Sequence, residues 1–284
     1  MARVALAYDY LRQEEKLLIE ALRGVGLEVS MLPVTEKPFH VGGEPAYDVI
    51  VVRTTSMFNG LYTAAAAESM GVRSVNQAKT ILYSGDKALT YSLLAKAGIP
   101  MPDTYIALGS RAVFEAAKLL GYPLVDKPPI GSWGRLVSLI YDDFNLVTVL
   151  EHREALCNRQ MRIHIMQEYV ETGNKDIRCL VLGGELLGCI HRIAREGEWR
   201  SNVALGGKTE VIEVSEDLED IALRAAAVVE GDFVSIDIFE HPEKGYVVNE
   251  VNGIPEFKGF MRATGMNVPA RIAEYVRGLV KGKA

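Results

Sequence analysis

The chain has 284 residues, of which 49% are hydrophobic and 24% are charged, as is typical of a globular protein with a well-formed core. Its net charge of −6 argues against a nucleic-acid-binding protein. No apolar run reaches the roughly 20 residues of a membrane span, and strand-like sequence begins at once, so we expect neither a membrane segment nor a signal peptide. Cys157, Cys179 and Cys189 form no CxxC pattern, so we expect a cytoplasmic protein whose reduced thiols serve packing.

Strand and helix patterns alternate in the first third of the chain. Strands are predicted at 3–8, 28–32, 47–53 and 73–76, and helices at 11–23 and 60–70. This order predicts a small α/β domain over residues 1–84.

Residues 85–167 have the pattern of a compact α+β unit. Helices are predicted at 86–97, 111–120 and 142–158, and strands at 104–108, 123–127, 136–140 and 163–170. Lys127 ends one strand and the loop 131–135 follows closely. Backbone N–H groups of a Gly/Ser loop can bind an anion, and a lysine adds a point charge for phosphate. Taken alone, Gly-x-x-Gly is more often a hairpin turn, and the longer P-loop pattern is absent.

Residues 168–284 are predicted to form a second α+β unit. Strands at 176–182 and 185–192 flank Gly183-Gly184, which is a strong hairpin signal, and a further strand is predicted at 209–214 with helices at 216–230 and 269–281. Basic residues gather here in an otherwise acidic protein: Arg178, His191, Arg192, Arg195, Arg200 and Lys208. Most could be a solvated surface, but Arg178 and Arg192 lie in apolar strands, where arginine is suited to bind carboxylate or phosphate.

Two apolar runs, 233–239 and 246–252, carry acidic and amide residues and are separated by a segment of hairpin length. Glu250 and Asn252 project to one face because side chains alternate along a strand. Pairing of the two strands brings Asp237 next to Glu250. A single acid in such a strand is often solvent-facing, but three oxygen-bearing side chains at this spacing favour a Mg²⁺ site that is completed by nucleotide phosphates.

The order of these parts resembles the ATP-grasp superfamily of carboxylate–amine ligases over essentially the whole chain. The features that carry the resemblance are the Asp86-Lys87 helix, Lys127 with its loop, 167–170, 176–178 and 248–259. Within the superfamily the chain looks most similar to the ribosomal-protein glutamate ligases and to the amino-group-carrier ligases of lysine biosynthesis. The resemblance implies an α/β (α+β) ATP-grasp fold with a small N-terminal α/β domain and two α+β subdomains that clamp ATP between them.

The resemblance also implies a set of site residues. Catalytic roles would fall to Arg192, Asn202 and Lys127, and two Mg²⁺ ions would be held by Asp237, Glu250 and Asn252. ATP would be bound by Lys87, Lys127, Gly131, Ser132, Trp133, Gly134, Arg135, Gln167, Glu168, Tyr169, Val170, Asp176, Arg178, Arg192 and Asn202. The amino-acid pocket would be shaped by Asn202, Val203, Ala204, Gly253, Glu256, Phe257, Lys258, Gly259 and Phe260.

Two positions depart from the pattern of the family. Asp126 stands where an apolar residue is usual, but alternation puts it on the face opposite Lys127, so we expect the site to persist. Trp133 is bulkier than the residues common in this loop, which favours a stiffer lid over the phosphates.

The implied reaction joins 2-aminoadipate through its α-amino group to the C-terminal glutamate of a small acidic carrier protein, through an acylphosphate. A basic surface would steer the acidic partner, formed by Arg178, Arg192, Arg195, Arg200 and Lys208. A glutamate ligase acting on a carrier or ribosomal protein remains an alternative, as does a non-catalytic ATP-binding regulator. A homodimer or homotetramer is expected.

Overall fold

The computed structural model describes residues 2–195 and 207–282. The chain begins with β1 (Arg3–Tyr8), α1 (Gln13–Gly24), β2 (Glu28–Pro33), β3 (Val49–Val52), α2 (Met57–Ser69) and β4 (Arg73–Val75). These strands form a parallel sheet in the order β2-β1-β3-β4. Every residue of β3 is buried, as its continuous apolar sequence predicts for a strand covered on both faces.

Two helices lead from this sheet to the next. They are α3 (Ala78–Gly85), which the sequence patterns did not predict, and α4 (Lys87–Lys96). Asp86 separates them because its carboxylate accepts hydrogen bonds from the backbone N–H groups of Ala88 and Leu89 and so caps α4.

The central unit is an antiparallel sheet with two helices. Its elements are β5 (Thr104–Ala107), α5 (Ser110–Leu120), β6 (Leu124–Lys127), β7 (Ser138–Ile140), α6 (Asp143–Glu154) and β8 (His164–Glu168). The strand order is β5-β8-β6-β7. The register places Lys127 of β6 opposite Ile165 and Val125 opposite Gln167, and the side chain of Lys127 reaches that of Gln167.

The third sheet is antiparallel and carries the hairpins expected from the sequence. Its elements are β9 (Lys175–Leu182), β10 (Glu185–Ile193), β11 (Lys208–Val211), α7 (Glu216–Val228), β12 (Phe233–His241) and β13 (Gly245–Asn252), followed by α8 (Lys258–Thr264) and α9 (Val268–Lys281). The strand order is β11-β10-β9-β12-β13. Gly183 and Gly184 have φ of 60° and 82°, the left-handed conformations that their tight turn requires. None of the helices in these described residues has the length and apolar character needed to cross a bilayer.

The two ends of the chain share one hydrophobic core. Val4 and Leu18 of the first domain are buried together with Phe257, Phe260 and Ile272 from beyond β13. The segment after the predicted metal strand is therefore fixed against the N-terminal sheet.

The expectation of three reduced, packed cysteines is wrong. Cys179 and Cys189 form a disulfide between β9 and β10, and Cys157 is exposed. The Gly183-Gly184 hairpin makes Cys179 and Cys189 direct cross-strand partners, with Cα atoms 4.1 Å apart. Their separation in sequence concealed a proximity that the strand register creates.

Candidate active site

A cavity of about 510 Å³ lies where the three sheets meet. It is lined by most residues that the sequence predicted for the site: Lys87, Lys127, Gly131, Ser132, Trp133, Gly134, Arg135, Gln167, Glu168, Tyr169, Val170, Asp176, Arg178, Arg192, Asp237, Glu250, Asn252, Gly253 and Glu256. Asn202, Val203 and Ala204 lie outside the described residues. The fold thus gathers at one place residues that are up to 169 positions apart, from Lys87 to Glu256.

The β12–β13 hairpin has the register that the sequence suggested. Asp237 lies directly opposite Glu250, and Val251 is fully buried on the other face. The register shifts after Asp237, which leaves Asn249 as the extra residue of a β-bulge and turns it toward the cavity.

The donors on this hairpin fit a magnesium ion that also binds phosphate. Asp237, Glu250 and Asn252 offer carboxylate and amide oxygens, which are hard ligands. The side-chain nitrogen of Asn252 is buried and meets no hydrogen-bond acceptor in the described part of the chain, so a polar ligand in the cavity could satisfy this amide. Across residues 2–195 and 207–282, no group of three or more His, Cys, Asp or Glu side chains could hold a metal.

Asp237 is embedded in a buried network of ion pairs. Arg178 donates two hydrogen bonds of 2.8 Å to its carboxylate. Arg192 donates one hydrogen bond to the same carboxylate at 2.8 Å. Its Nε and Nη2 also donate hydrogen bonds to the carboxylate of Asp176. Burial alone would raise the pKa of Asp237, but the two arginines outweigh burial and lower it to about 2. The acid is therefore ionised, and Arg192 is oriented by two carboxylates.

Lys127 is buried with three oxygen partners. Its ammonium donates to the side-chain oxygens of Gln167 at 2.6 Å and Asn249 at 2.8 Å, and to the hydroxyl of Tyr91 at 3.3 Å. Burial lowers its pKa to about 7, although Glu250 opposes the shift. Sequence reasoning missed Tyr91 and Asn249. Tyr91 lies one helical turn after Lys87 on α4, which was a usable signal, whereas Asn249 reaches the site only through the bulge.

Lys87 connects α4 to both the loop and the metal hairpin. Its Nζ lies 3.1 Å from the carbonyl oxygen of Gly131 and 3.1 Å from a carboxylate oxygen of Glu250. Burial opposes its charge, but the attraction of Glu250 and its hydrogen bond, together with Tyr91 and Asp86, outweigh burial and hold the pKa of Lys87 above the ordinary value. The ammonium thus stands at the point where the loop and the carboxylates meet.

The loop 131–135 and Leu136 after it are mostly exposed and have an unusual backbone. Trp133 has φ of 58° and Leu136 has φ of 59°, conformations that residues with side chains seldom adopt. The guanidinium of Arg135 stacks 4.9 Å from the ring centroid of Trp133. An aromatic–cation pair therefore lines the cavity within the loop for which a lid over phosphates was expected.

Gln167 lines the cavity, whereas Asp126 lies on the opposite face of the central sheet. Gln167 is buried and joins Lys127 to the hydroxyl of Thr104, so its side chain is already engaged. Asp126 faces away from the cavity and accepts hydrogen bonds from Arg153 and His164, as alternation along the strand predicts. The departure at position 126 therefore serves the interior of the central unit.

The predicted amino-acid pocket divides at residue 257. Gly253 to Glu256 line the cavity, whereas Phe257 and Phe260 are buried in the core shared by the two ends of the chain. Lys258 and Gly259 begin α8 and do not line the cavity. The apolar character of Phe257 and Phe260 suits a core as well as a pocket, so the sequence alone could not separate the two roles.

The predicted basic surface is smaller than expected. Arg178 and Arg192 are turned into the cavity and paired with Asp237, so they do not form part of an exposed patch. Arg195 and Lys208 are exposed, and Arg200 lies outside the described residues.

Two family models match consecutive segments of the chain. Residues 84–276 match the RimK-like ATP-grasp domain, and residues 4–82 match the LysX preATP-grasp domain. The cavity therefore belongs to an ATP-grasp ligase, and the fold expected from the resemblance is confirmed. More narrowly, the chain is a member of the RimK-like ATP-grasp family.

The chain is similar to two ligases in sequence and to one solved structure in fold. The chain is 49% identical over 276 residues to the glutamate–LysW ligase ArgX of Sulfurisphaera tokodaii, covering 97% of this chain and 98% of the relative. It is 35% identical over 285 residues to the alpha-aminoadipate–LysW ligase LysX of the same organism, covering 98% and 99%. A solved RimK domain ATP-grasp protein from Sphaerobacter thermophilus matches with a TM-score of 0.77 at 26% identity, covering 98% of this chain and 100% of that one.

Proposed function

We propose that this ATP-grasp ligase attaches glutamate to a small acidic amino-group carrier protein. The 49% identity to a glutamate–LysW ligase over 97% of the chain carries this choice of substrate. The cavity supports the class of reaction, since it combines a Gly/Ser loop, two lysines and a carboxylate pair.

The proposed reaction has two steps. The side-chain carboxylate of the carrier's C-terminal glutamate attacks the γ-phosphorus of ATP, the bond to the β-phosphate oxygen breaks, and ADP leaves. The α-amino group of free glutamate then attacks the acyl carbon, loses a proton, and expels phosphate to leave an amide. No side chain of the enzyme needs to be modified covalently.

Each part of the cavity has a proposed role in these steps. Lys87, Lys127 and the loop amides would hold the phosphates, and 167–170 would bind the base. Arg192, oriented by Asp176, would stabilise negative charge that develops on the acyl group. The Trp133–Arg135 pair would exclude water from the acylphosphate. Asn202 remains a predicted contributor at the reacting group.

Asp237, Glu250 and Asn252 are the proposed ligands for two Mg²⁺ ions. When bound, Mg²⁺ would neutralise charge on the phosphates during transfer. In the structure Glu250 pairs with Lys87, and Asp237 pairs with arginines. Binding of Mg²⁺-ATP would therefore require the lysine and arginine side chains to release the carboxylates and bind phosphate oxygens instead.

A second candidate is attachment of 2-aminoadipate, as in lysine biosynthesis. It is supported by the 35% identity to an aminoadipate–LysW ligase and by the sequence features around 248–259. Glutamate and 2-aminoadipate differ by one methylene, and a pocket separates such substrates by only about 1–3 kcal/mol. The two candidates therefore share every residue proposed for ATP and Mg²⁺.

The test is a substrate comparison with the purified chain. ADP release would be measured with Mg²⁺-ATP, carrier protein, and either glutamate or 2-aminoadipate, and the carrier mass would be recorded. We expect the mass to rise by one glutamate residue, and a carrier without its C-terminal glutamate to be inactive as the matched control. Turnover with 2-aminoadipate alone would favour the second candidate. ATP binding without turnover for either pair would contradict both.

A further inference from the structure

The segment that follows β13 is held by buried acids of the N-terminal domain. Glu14, at the start of α1, is 3% exposed. One carboxylate oxygen accepts the backbone N–H groups of Phe257 at 2.8 Å and Lys258 at 2.6 Å, and the other accepts from Arg53 at 2.8 Å. One acid therefore ties two consecutive amides to the first domain.

Arg53 secures the same segment from a second direction. It follows β3, is 2% exposed, and donates to the backbone carbonyl of Pro255 at 2.7 Å. Its guanidinium lies 5.1 Å from the ring centroid of Phe257, and its Nε lies 3.4 Å from Glu15. Backbone groups at 255, 257 and 258 are thus fixed by a charged cluster that belongs to the other end of the chain.

The cluster reaches the cavity at its outer edge. Arg12 pairs with the fully buried Glu15 through Nε and Nη2, and with Glu256 through Nη1 at 2.9 Å. Both Arg12 and Glu256 line the cavity. The buried acids Glu14 and Glu15 are balanced by Arg53 and Arg12, so the cluster has no net charge before Glu256 is added.

Stability does not explain why such a cluster is buried here. Buried ion pairs contribute little net stability compared with apolar packing, because desolvation offsets the attraction. Their directional hydrogen bonds do fix geometry. The fixed backbone at 255–258 overlaps the cavity-lining residues 253–256, so the cluster holds this part of the cavity wall in place.

We propose that Glu14 and Arg53 are positioning residues for the amino-acid substrate, so that the N-terminal domain sets the shape of the amino-acid pocket without contacting the reacting atoms. This inference rests on the proposed ligase function. It predicts that a disturbance of the cluster weakens use of the amino acid and leaves use of ATP unchanged.

The test compares Glu14→Gln with a matched control, Arg73→Gln. Arg73 also joins the first domain to the third sheet, through Asp232 at 2.7 Å, but it acts at the start of β12. We expect Glu14→Gln to raise the KM for the amino acid about tenfold, while the KM for ATP stays within about twofold and Arg73→Gln changes neither. Arg53→Lys keeps the charge and one donor, so its effect should be smaller than that of Arg53→Met.

Hydrogen exchange provides a readout that does not need turnover. The amides of Phe257 and Lys258 should exchange faster in Glu14→Gln than in the wild type or in Arg73→Gln. Should Glu14→Gln not fold, Arg12→Gln, at the half-exposed edge, should still raise the amino-acid KM. Equal changes in the amino-acid KM of Glu14→Gln and Arg73→Gln, or an unchanged amino-acid KM in Glu14→Gln, would overturn the inference. Absence of turnover in the wild type would contradict the proposed function and this inference with it, whereas an active wild type with an unchanged amino-acid KM in Glu14→Gln would overturn this inference alone.

Discussion

Replacement of Lys127 by methionine should change how the stability of the ligand-free protein depends on pH. Burial lowers the pKa of Lys127 in the folded protein to about 7, whereas the ordinary value is 10.5. Between these two values the unfolded chain binds more protons than the folded protein. The free energy of unfolding therefore rises as pH increases through this window. The contribution is fully present above pH 10.5 and is lost as pH falls through about 7.

The size of the effect follows from the two pKa values and the contacts of the ammonium. At about 1.4 kcal/mol per pH unit, the window corresponds to at most about 5 kcal/mol. Lys127 donates three hydrogen bonds, to Gln167, Asn249 and Tyr91. These bonds favour the charged form of the lysine and therefore reduce the pH-dependent change in the free energy of unfolding. We expect a rise of about 3 kcal/mol between pH 7 and pH 10 that Lys127→Met lacks.

The assay is urea unfolding of the wild type, Lys127→Met and the control Lys244→Met over this pH range. Lys244 lies nearer the surface and pairs with Asp103 and Glu168, and its pKa is raised despite some burial, so the control should follow the wild type. Calorimetry in two buffers of different ionisation enthalpy should also show proton uptake when ATP binds near pH 8, because the phosphates favour the charged lysine. Parallel stability curves for the wild type and Lys127→Met would refute the reasoning.

Three further predictions concern the metal, the lid and the partner. Glu250→Gln should lower turnover at least about a hundredfold and reduce the thermal stabilisation by Mg²⁺-ADP relative to metal-free ADP; an unchanged difference between the two nucleotide forms would count against the site. Trp133→Ala should open the mouth of the cavity, so that more ADP is released per amide formed; a constant ratio of ADP to ligated carrier would argue against a water-excluding lid. Arg195→Glu should raise the KM for an acidic carrier about tenfold without affecting the KM for ATP, whereas Arg224→Glu, which removes an exposed arginine already paired within α7, should change neither. Equal carrier KM values for the two charge reversals would remove the steering role of Arg195.

The sequence by itself determined the order of the elements except for α3 and α8, and it determined the hairpin that presents the acids. Strand alternation places Glu250 and Asn252 on one face and Asp126 opposite Lys127, and Gly183-Gly184 specifies its turn. These features follow from the period of a strand and from the conformations that glycine allows, so neighbouring residues are sufficient to reveal them.

Only the tertiary structure decided which charged groups meet. Asp237 could be expected beside Glu250, but its pairing with Arg178 and Arg192 depends on β12 lying against β9. The contact of Glu14 with Phe257 joins residues that are 243 positions apart, and the same packing makes Phe257 part of a core rather than a pocket wall. Such contacts arise from the docking of domains and the register of sheets, which no local pattern encodes. The bulge that turns Asn249 toward Lys127 belongs to the same group, because it depends on how two strands align rather than on either strand alone.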